Sequence, residues 1–105
     1  TDYAGADYVA GVGLAVRHLV ERGHRRIAFL SVSARTSARE ERLEGFARAL
    51  AETGAEDGGI VEAELSWEGA MRSARRILDL PALPTAILCF NDVLAAGLMA
   101  GLRQA

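Results

Sequence analysis

One cysteine, Cys89, stands in the 105 residues, which excludes an internal disulfide and fits a reducing compartment. No apolar run approaches the roughly 20 residues that span a bilayer. Thr1 to Tyr8 is polar and small and carries no signal-peptide pattern. A formal net charge of -2 leaves no electrostatic footprint for nucleic acid. No internal repeat and no low-complexity segment occurs. His18 and His24 have no carboxylate–cysteine cluster beside them, so no metal spacing is present. There is no Ser-His-Asp order, no P-loop and no paired-carboxylate pattern. The expectation is therefore a protein that is not an enzyme, with no catalytic residue, no metal and no cofactor. What is present is ordinary for a globular chain: half the residues are apolar and a quarter charged. That is enough for one domain, or for one half of a two-lobed one.

Alternating patterns run along the chain. Thr1 to Ala6 shows no clear period and reads as a strand remnant or a loop. From Tyr8 to Arg22, Val9, Val12, Val16, Leu19 and Val20 recur at helical spacing, with Asp7 as N-cap and Gly23 as the terminating residue. Gly11 and Gly13 invite a nucleotide-loop reading. It fails, because no strand is expected before them and the third glycine is missing; small residues for close helix packing is the simpler account. Ile27 to Val32 is a wholly apolar strand. Ser33 to Thr36 is a polar loop, and Ser37 and Glu40 have capping-box spacing at the next helix. Leu43, Phe46, Ala47 and Leu50 form that helix's buried stripe, and Gly54 ends it. Glu56 to Gly59 reads as a solvated turn. Ile60 to Leu65 alternates around Glu62 and Glu64, which suits an edge strand with one wet face. Ser66 caps a helix from Trp67 to about Leu80, with Met71, Ala74, Ile77 and Leu78 inward and Pro81 as its stop. His24, after a helix-ending glycine, can satisfy carbonyls. Ala86 to Phe90 is a second dry strand, followed by a helix through Leu94, Leu98, Met99 and Leu102.

This order predicts an α/β fold, three layers αβα around a parallel sheet with right-handed crossovers. The wet strand belongs at an edge and the two dry strands side by side, so the three strands take the order 2-1-3. The winding then reverses between the two dry strands. Ligands of open α/β sheets sit in the crevice at that reversal, here lined by Ser31–Ser37 and by Asn91 and Asp92.

Several residues there carry two readings. Asn91 and Asp92 can hydrogen-bond a polyhydroxylated ligand, or only cap a helix. Arg42, one turn past the polar loop, can reach the crevice as a bidentate donor, or belong to a solvated cluster with Arg39, Glu40 and Glu41. Trp67, the single tryptophan, can stack on a sugar or base, or cover the core beside Leu65. Cys89, inside a strand without His or Asp beside it, reads as an inert buried thiol.

Three blocks carry a resemblance: His18-Leu19-Val20-Glu21-Arg22-Gly23-His24-Arg25-Arg26-Ile27-Ala28-Phe29-Leu30, Glu41-Arg42-Leu43-Glu44-Gly45-Phe46-Ala47-Arg48-Ala49-Leu50, and Pro84-Thr85-Ala86-Ile87-Leu88-Cys89-Phe90-Asn91-Asp92-Val93-Leu94-Ala95-Ala96-Gly97. Together, in order over nearly the whole chain, they resemble the lactose/galactose-repressor family of bacterial transcription regulators. The resemblance implies a periplasmic-binding-protein-like subdomain, with residues 1–105 as part of a C-terminal effector-binding domain. It implies that Arg42, Trp67 and Asn91 contact a sugar or nucleoside-like effector. Asp92 shapes the same loop, and Ser33 lies in a serine-rich loop that matches only in position. The family's helix-turn-helix, hinge helix, N-terminal subdomain and G-F-D-D-type block have no counterpart in these residues. Operator DNA is therefore expected as a partner only through that missing DNA-binding domain. Uncovered strand edges make a homodimer the expected state, in the cytoplasm and away from membranes. Two other readings stay open: a solute-binding protein on the same fold, and a small flavodoxin-like α/β enzyme.

Overall fold

The computed structural model describes residues 2–5 and 9–104. Its elements run β1 (Asp2–Gly5), α1 (Val9–Glu21), β2 (Arg26–Val32), α2 (Ser37–Thr53), β3 (Glu56–Ala63), α3 (Trp67–Leu78), β4 (Ala86–Cys89) and α4 (Asp92–Gln104). All four strands pair in parallel, in the order β1-β4-β2-β3. The two dry strands are neighbours and the wet strand is at the edge, as the patterning requires. The sheet gains a fourth strand from Asp2–Gly5, which pairs with β4. A strand therefore does precede Gly11 and Gly13, contrary to expectation. Both glycines lie inside α1 rather than in the strand–helix turn, so they cradle no phosphate. The N-cap expected at Asp7 falls outside the described residues.

Ile27 to Val32 and Ala86 to Cys89 are buried without exception. A strand dry on both faces needs cover on both faces. Right-handed crossovers supply it: α1 packs beside α2 on one side, and α3 beside α4 on the other. Phe29 of β2 meets Phe46 of α2 edge to face, with centroids 5.1 Å apart.

The helix signals hold with local corrections. Gly23 has φ 98° and closes α1 with a two-bond motif: its N–H donates to Val20 O, and that of His24 to Leu19 O. Gly54, at φ 76°, closes α2 through a bond to Leu50 O. The N-cap of α2 is Thr36, not Ser37; its Oγ1 accepts from the Arg39 N–H at 3.2 Å. Glu40 therefore stands one place too late for a capping box, and its carboxylate pairs with Arg39 instead. The buried stripe of α2 is Arg39, Phe46, Ala49 and Leu50; Ala47 is exposed and Leu43 only partly buried. In α3, capped by Ser66 as expected, the inward residues are Gly69, Ala70, Ser73, Ala74 and Ile77, while Met71 and Leu78 lie at the flanks.

Glu56 to Gly59, expected as a turn, is the first half of β3. The register to β2 shifts there: β3 takes three steps, from Asp57 to Ile60, where β2 takes two, from Ile27 to Phe29. Two glycines allow this bulge. A Cβ at Gly58 would stand 3.0 Å from the Ile27 carbonyl carbon, and Gly59 has φ 122°.

Helices α3 and α4 touch backbone to backbone. A Cβ on Gly97 would strike the Trp67 carbonyl and lie 2.8 Å from Ala70 Cβ; one on Gly101 would strike the Met71 carbonyl and lie 2.8 Å from Ala74 Cβ. Gly101→Ala should lower stability by about 2 kcal/mol or more through overpacking. Gly13→Ala should raise it by about 0.5–1 kcal/mol, because a helical glycine is entropically costly and a Cβ there meets only the Arg17 guanidinium, at 3.5 Å or more. Urea unfolding of the two variants checks both signs.

Candidate functional site

The chain leaves β2 toward α2 on one face of the sheet and β4 toward α4 on the other. The crevice between these adjacent carboxyl ends is where an open sheet of this kind takes a ligand. Phe90 closes the floor: its N–H donates to Leu30 O at 2.9 Å and its ring is buried. Asn91 follows as the N-cap of α4, with Oδ1 accepting from the Leu94 N–H at 3.0 Å. Asp92, the first residue of α4, is exposed.

Arg42 reaches this floor from α2. Its guanidinium carbon stands 4.2 Å from the centre of the Phe90 ring, and Nη1 donates to Ala38 O at 3.4 Å. Arg42 and Asn91 thus converge from opposite sides of the reversal, Arg42 lying over the residue that precedes Asn91. Trp67, 43% exposed, opens α3 just past β3, at the same edge but on the α3–α4 side of the sheet. Ser33 is exposed, and its N–H extends the β2–β3 ladder by donating to Ala63 O at 3.0 Å. Its side is a groove of about 530 Å³ shared with Glu62, Glu64, Arg72, Arg75 and Arg76. Ser33 therefore sits toward β3, and Arg42 and Asn91 toward β4.

Two features of this edge were not legible in the sequence. Arg39 is not a solvated member of a charge cluster. It is 6% exposed, with Nε donating to Val32 O at 2.9 Å, Nη1 to Glu40 Oε1 at 2.5 Å and Nη2 to Glu62. It ties the end of β2, the first turn of α2 and the outer strand into one knot beneath the Ser33–Thr36 loop. Its spacing of seven from Phe46 on the helix stripe is the one signal that points inward. Leu65, 56% exposed and two residues before Trp67, adds a second apolar side chain at the rim.

Cys89, in the middle of the sheet, is fully buried, and that burial pushes its thiol up from 9.0 to about 12. It is no nucleophile at neutral pH. Among the described residues no cluster of metal-ligating side chains occurs, and no helix is long and apolar enough to cross a membrane.

A parallel αβα sheet in the order β1-β4-β2-β3, with its winding reversed between the two central strands, has the architecture of a periplasmic-binding-protein-type subdomain. Relatives agree. Residues 16–105 match the periplasmic binding protein-like domain. The chain is 40% identical over 93 residues to the HTH-type transcriptional repressor PurR of Vibrio atlanticus, a match covering 87% of this chain and 28% of that repressor. A regulatory protein of the LacI family from Chloroflexus aggregans superposes with a TM-score of 0.82 at 35% identity, over 97% of this chain and 37% of that one. A LacI family transcriptional regulator from Enterococcus faecium, with bound ribose, gives 0.81 at 31% identity, over 99% and 39%. The chain belongs to the periplasmic binding protein-like family, in the form carried by LacI-family transcriptional regulators. It spans between about a quarter and two fifths of the length of these relatives.

Three outcomes follow from this geometry. Arg39→Met should cost about 2 kcal/mol in urea unfolding, chiefly through the lost charged hydrogen bonds to Val32 and Glu62. The thiol of Cys89 holds its proton more tightly when folded than when unfolded. Its contribution is therefore complete below pH 9 and is lost as pH rises from 9 toward 12, by up to about 1.4 kcal/mol per pH unit. A thiol reagent at pH 8 should leave the native protein unlabelled and label it in denaturant.

Proposed function

We propose that this chain is the effector-sensing part of a LacI-family transcriptional repressor. It binds a small sugar or nucleoside-like ligand in a cleft between itself and a second subdomain. The observation that carries this reading is the convergence of Arg42 and Asn91 on the floor built by Phe90. A guanidinium and a carboxamide suit a ligand rich in hydroxyls: the first gives paired N–H donors, the second both a donor and an acceptor. Arg42 holds the ligand as a fork, Asn91 contacts it while capping α4, Asp92 shapes that loop, Ser33 lines the β3 side, and Trp67 supplies an apolar face. The ribose bound by the E. faecium regulator supports a sugar as the ligand class.

In the whole protein the ligand acts by differential affinity. It binds one arrangement of the two subdomains better than the other and so shifts a homodimer between operator-binding and non-binding states. Operator DNA is reached through a separate domain, the protein works in the cytoplasm, and it performs no chemistry on its ligand.

The test is a titration of the intact protein with pentoses, hexoses and nucleosides, read by Trp67 fluorescence and by thermal shift. A saturable response is expected for one class. Arg42→Ala should weaken it by roughly 10- to 100-fold, the value of a lost charged hydrogen bond, with the melting midpoint within a few degrees of the parent. An Arg42→Ala protein that responds like the parent refutes the assignment.

A further inference from the structure

Phe90 has no role in the reading above beyond closing the crevice floor, yet its ring is what Arg42 rests on. We infer that Phe90 is a positioning residue for Arg42: the ring helps to hold the guanidinium at one place relative to Asn91, before any ligand arrives. This deepens the effector reading and rests on it. The ring itself is well fixed. Its backbone N–H is bonded to Leu30 of β2, the residue is 9% exposed, and the next residue caps α4. It is a plate anchored to both central strands, set between the loops that flank the crevice.

An arginine side chain carries about 2 kcal/mol of rotamer entropy, some of which is lost when a ligand immobilises it. A stack on an aromatic face removes that freedom in advance and consumes none of the five N–H donors. Nη1 also donates within the helix to Ala38 O at 3.4 Å, and the ring adds a flat support beneath the guanidinium at 4.2 Å. With the fork fixed against the Asn91 carboxamide, hydroxyl groups must match one spacing, so the ring contributes to choice among sugars as well as to affinity. A leucine fills similar space but has no quadrupole to hold a cation.

The experiment uses the full-length protein with isotope-labelled arginine. In the parent, the Arg42 Nε–H resonance should show an upfield ring-current shift and restricted motion. Phe90→Tyr should keep both, and Phe90→Leu should lose both while the melting midpoint stays within a few degrees; Phe90→Met takes its place if Leu does not fold. An Arg42 resonance that is unchanged when the ring is gone overturns the proposal, whether or not a ligand is in hand. With D-ribose as probe, any affinity measured should fall roughly tenfold in Phe90→Leu, the ordering entropy of one long side chain that the ligand must then immobilise itself, and recover in Phe90→Tyr. Equal affinity in all three also overturns it. Failure of the effector reading looks different: Arg42→Ala leaves the ligand response intact while the ring-current result still decides the role of Phe90.

Discussion

Two strands without an exposed side chain along Ile27–Val32 and Ala86–Cys89 lie side by side, and the molecule is arranged around that pairing. Each strand needs an apolar layer above and below it. The helices can satisfy both only by splitting, α1 and α2 to one side and α3 and α4 to the other. The split forces the chain to reverse its winding between β2 and β4. A crevice opens where the two connections part, so the demand for burial at the centre of the sheet is also what creates a place for a ligand.

Charge then stiffens one lip of that crevice. Arg39 enters a nearly dry position because three oxygens receive it: a carbonyl at the end of β2 and carboxylates on α2 and β3. Buried ion pairs are poor sources of net stability, since desolvation offsets much of the attraction. Their geometry is nonetheless demanding. A guanidinium shared among three elements allows few relative placements of them, and the Ser33–Thr36 loop lies directly above. The opposite lip is held differently, by a backbone bond from Phe90 to β2 and by the Asn91 cap. One side is braced by electrostatics, the other by neutral hydrogen bonds.

Much of this was legible from residue order. Apolar runs without charge marked the central strands, alternation around Glu62 marked the edge, and Gly23, Gly54 and Ser66 marked helix ends. The reversal of winding between the two dry strands followed from strand order alone. What escaped had physical reasons. Glu56-Asp57-Gly58-Gly59 has the composition of a turn, yet the glycines serve a bulge in a paired strand. Asp2–Gly5 is four residues long with no alternation, and its place beside β4 is a long-range fact. Arg39 looked solvated because the three residues after it are charged, whereas its partners Val32 and Glu62 come from two strands. Thr36 and Ser37 are equally good caps by type; backbone conformation chose the first. Phe90 read as the last residue of a core strand, and only the fold shows a cation resting on it.

The close seam between α3 and α4 has a mechanical meaning. With Gly97 and Gly101 seated on the carbonyls of Trp67 and Met71, neither helix can slide or roll without backbone meeting backbone. Dense interiors pass strain on rather than absorb it. The pair is therefore one stiff body, about 20 Å long at 1.5 Å per residue over α4. A displacement imposed at one end reaches the other with little lost to compliance along the way.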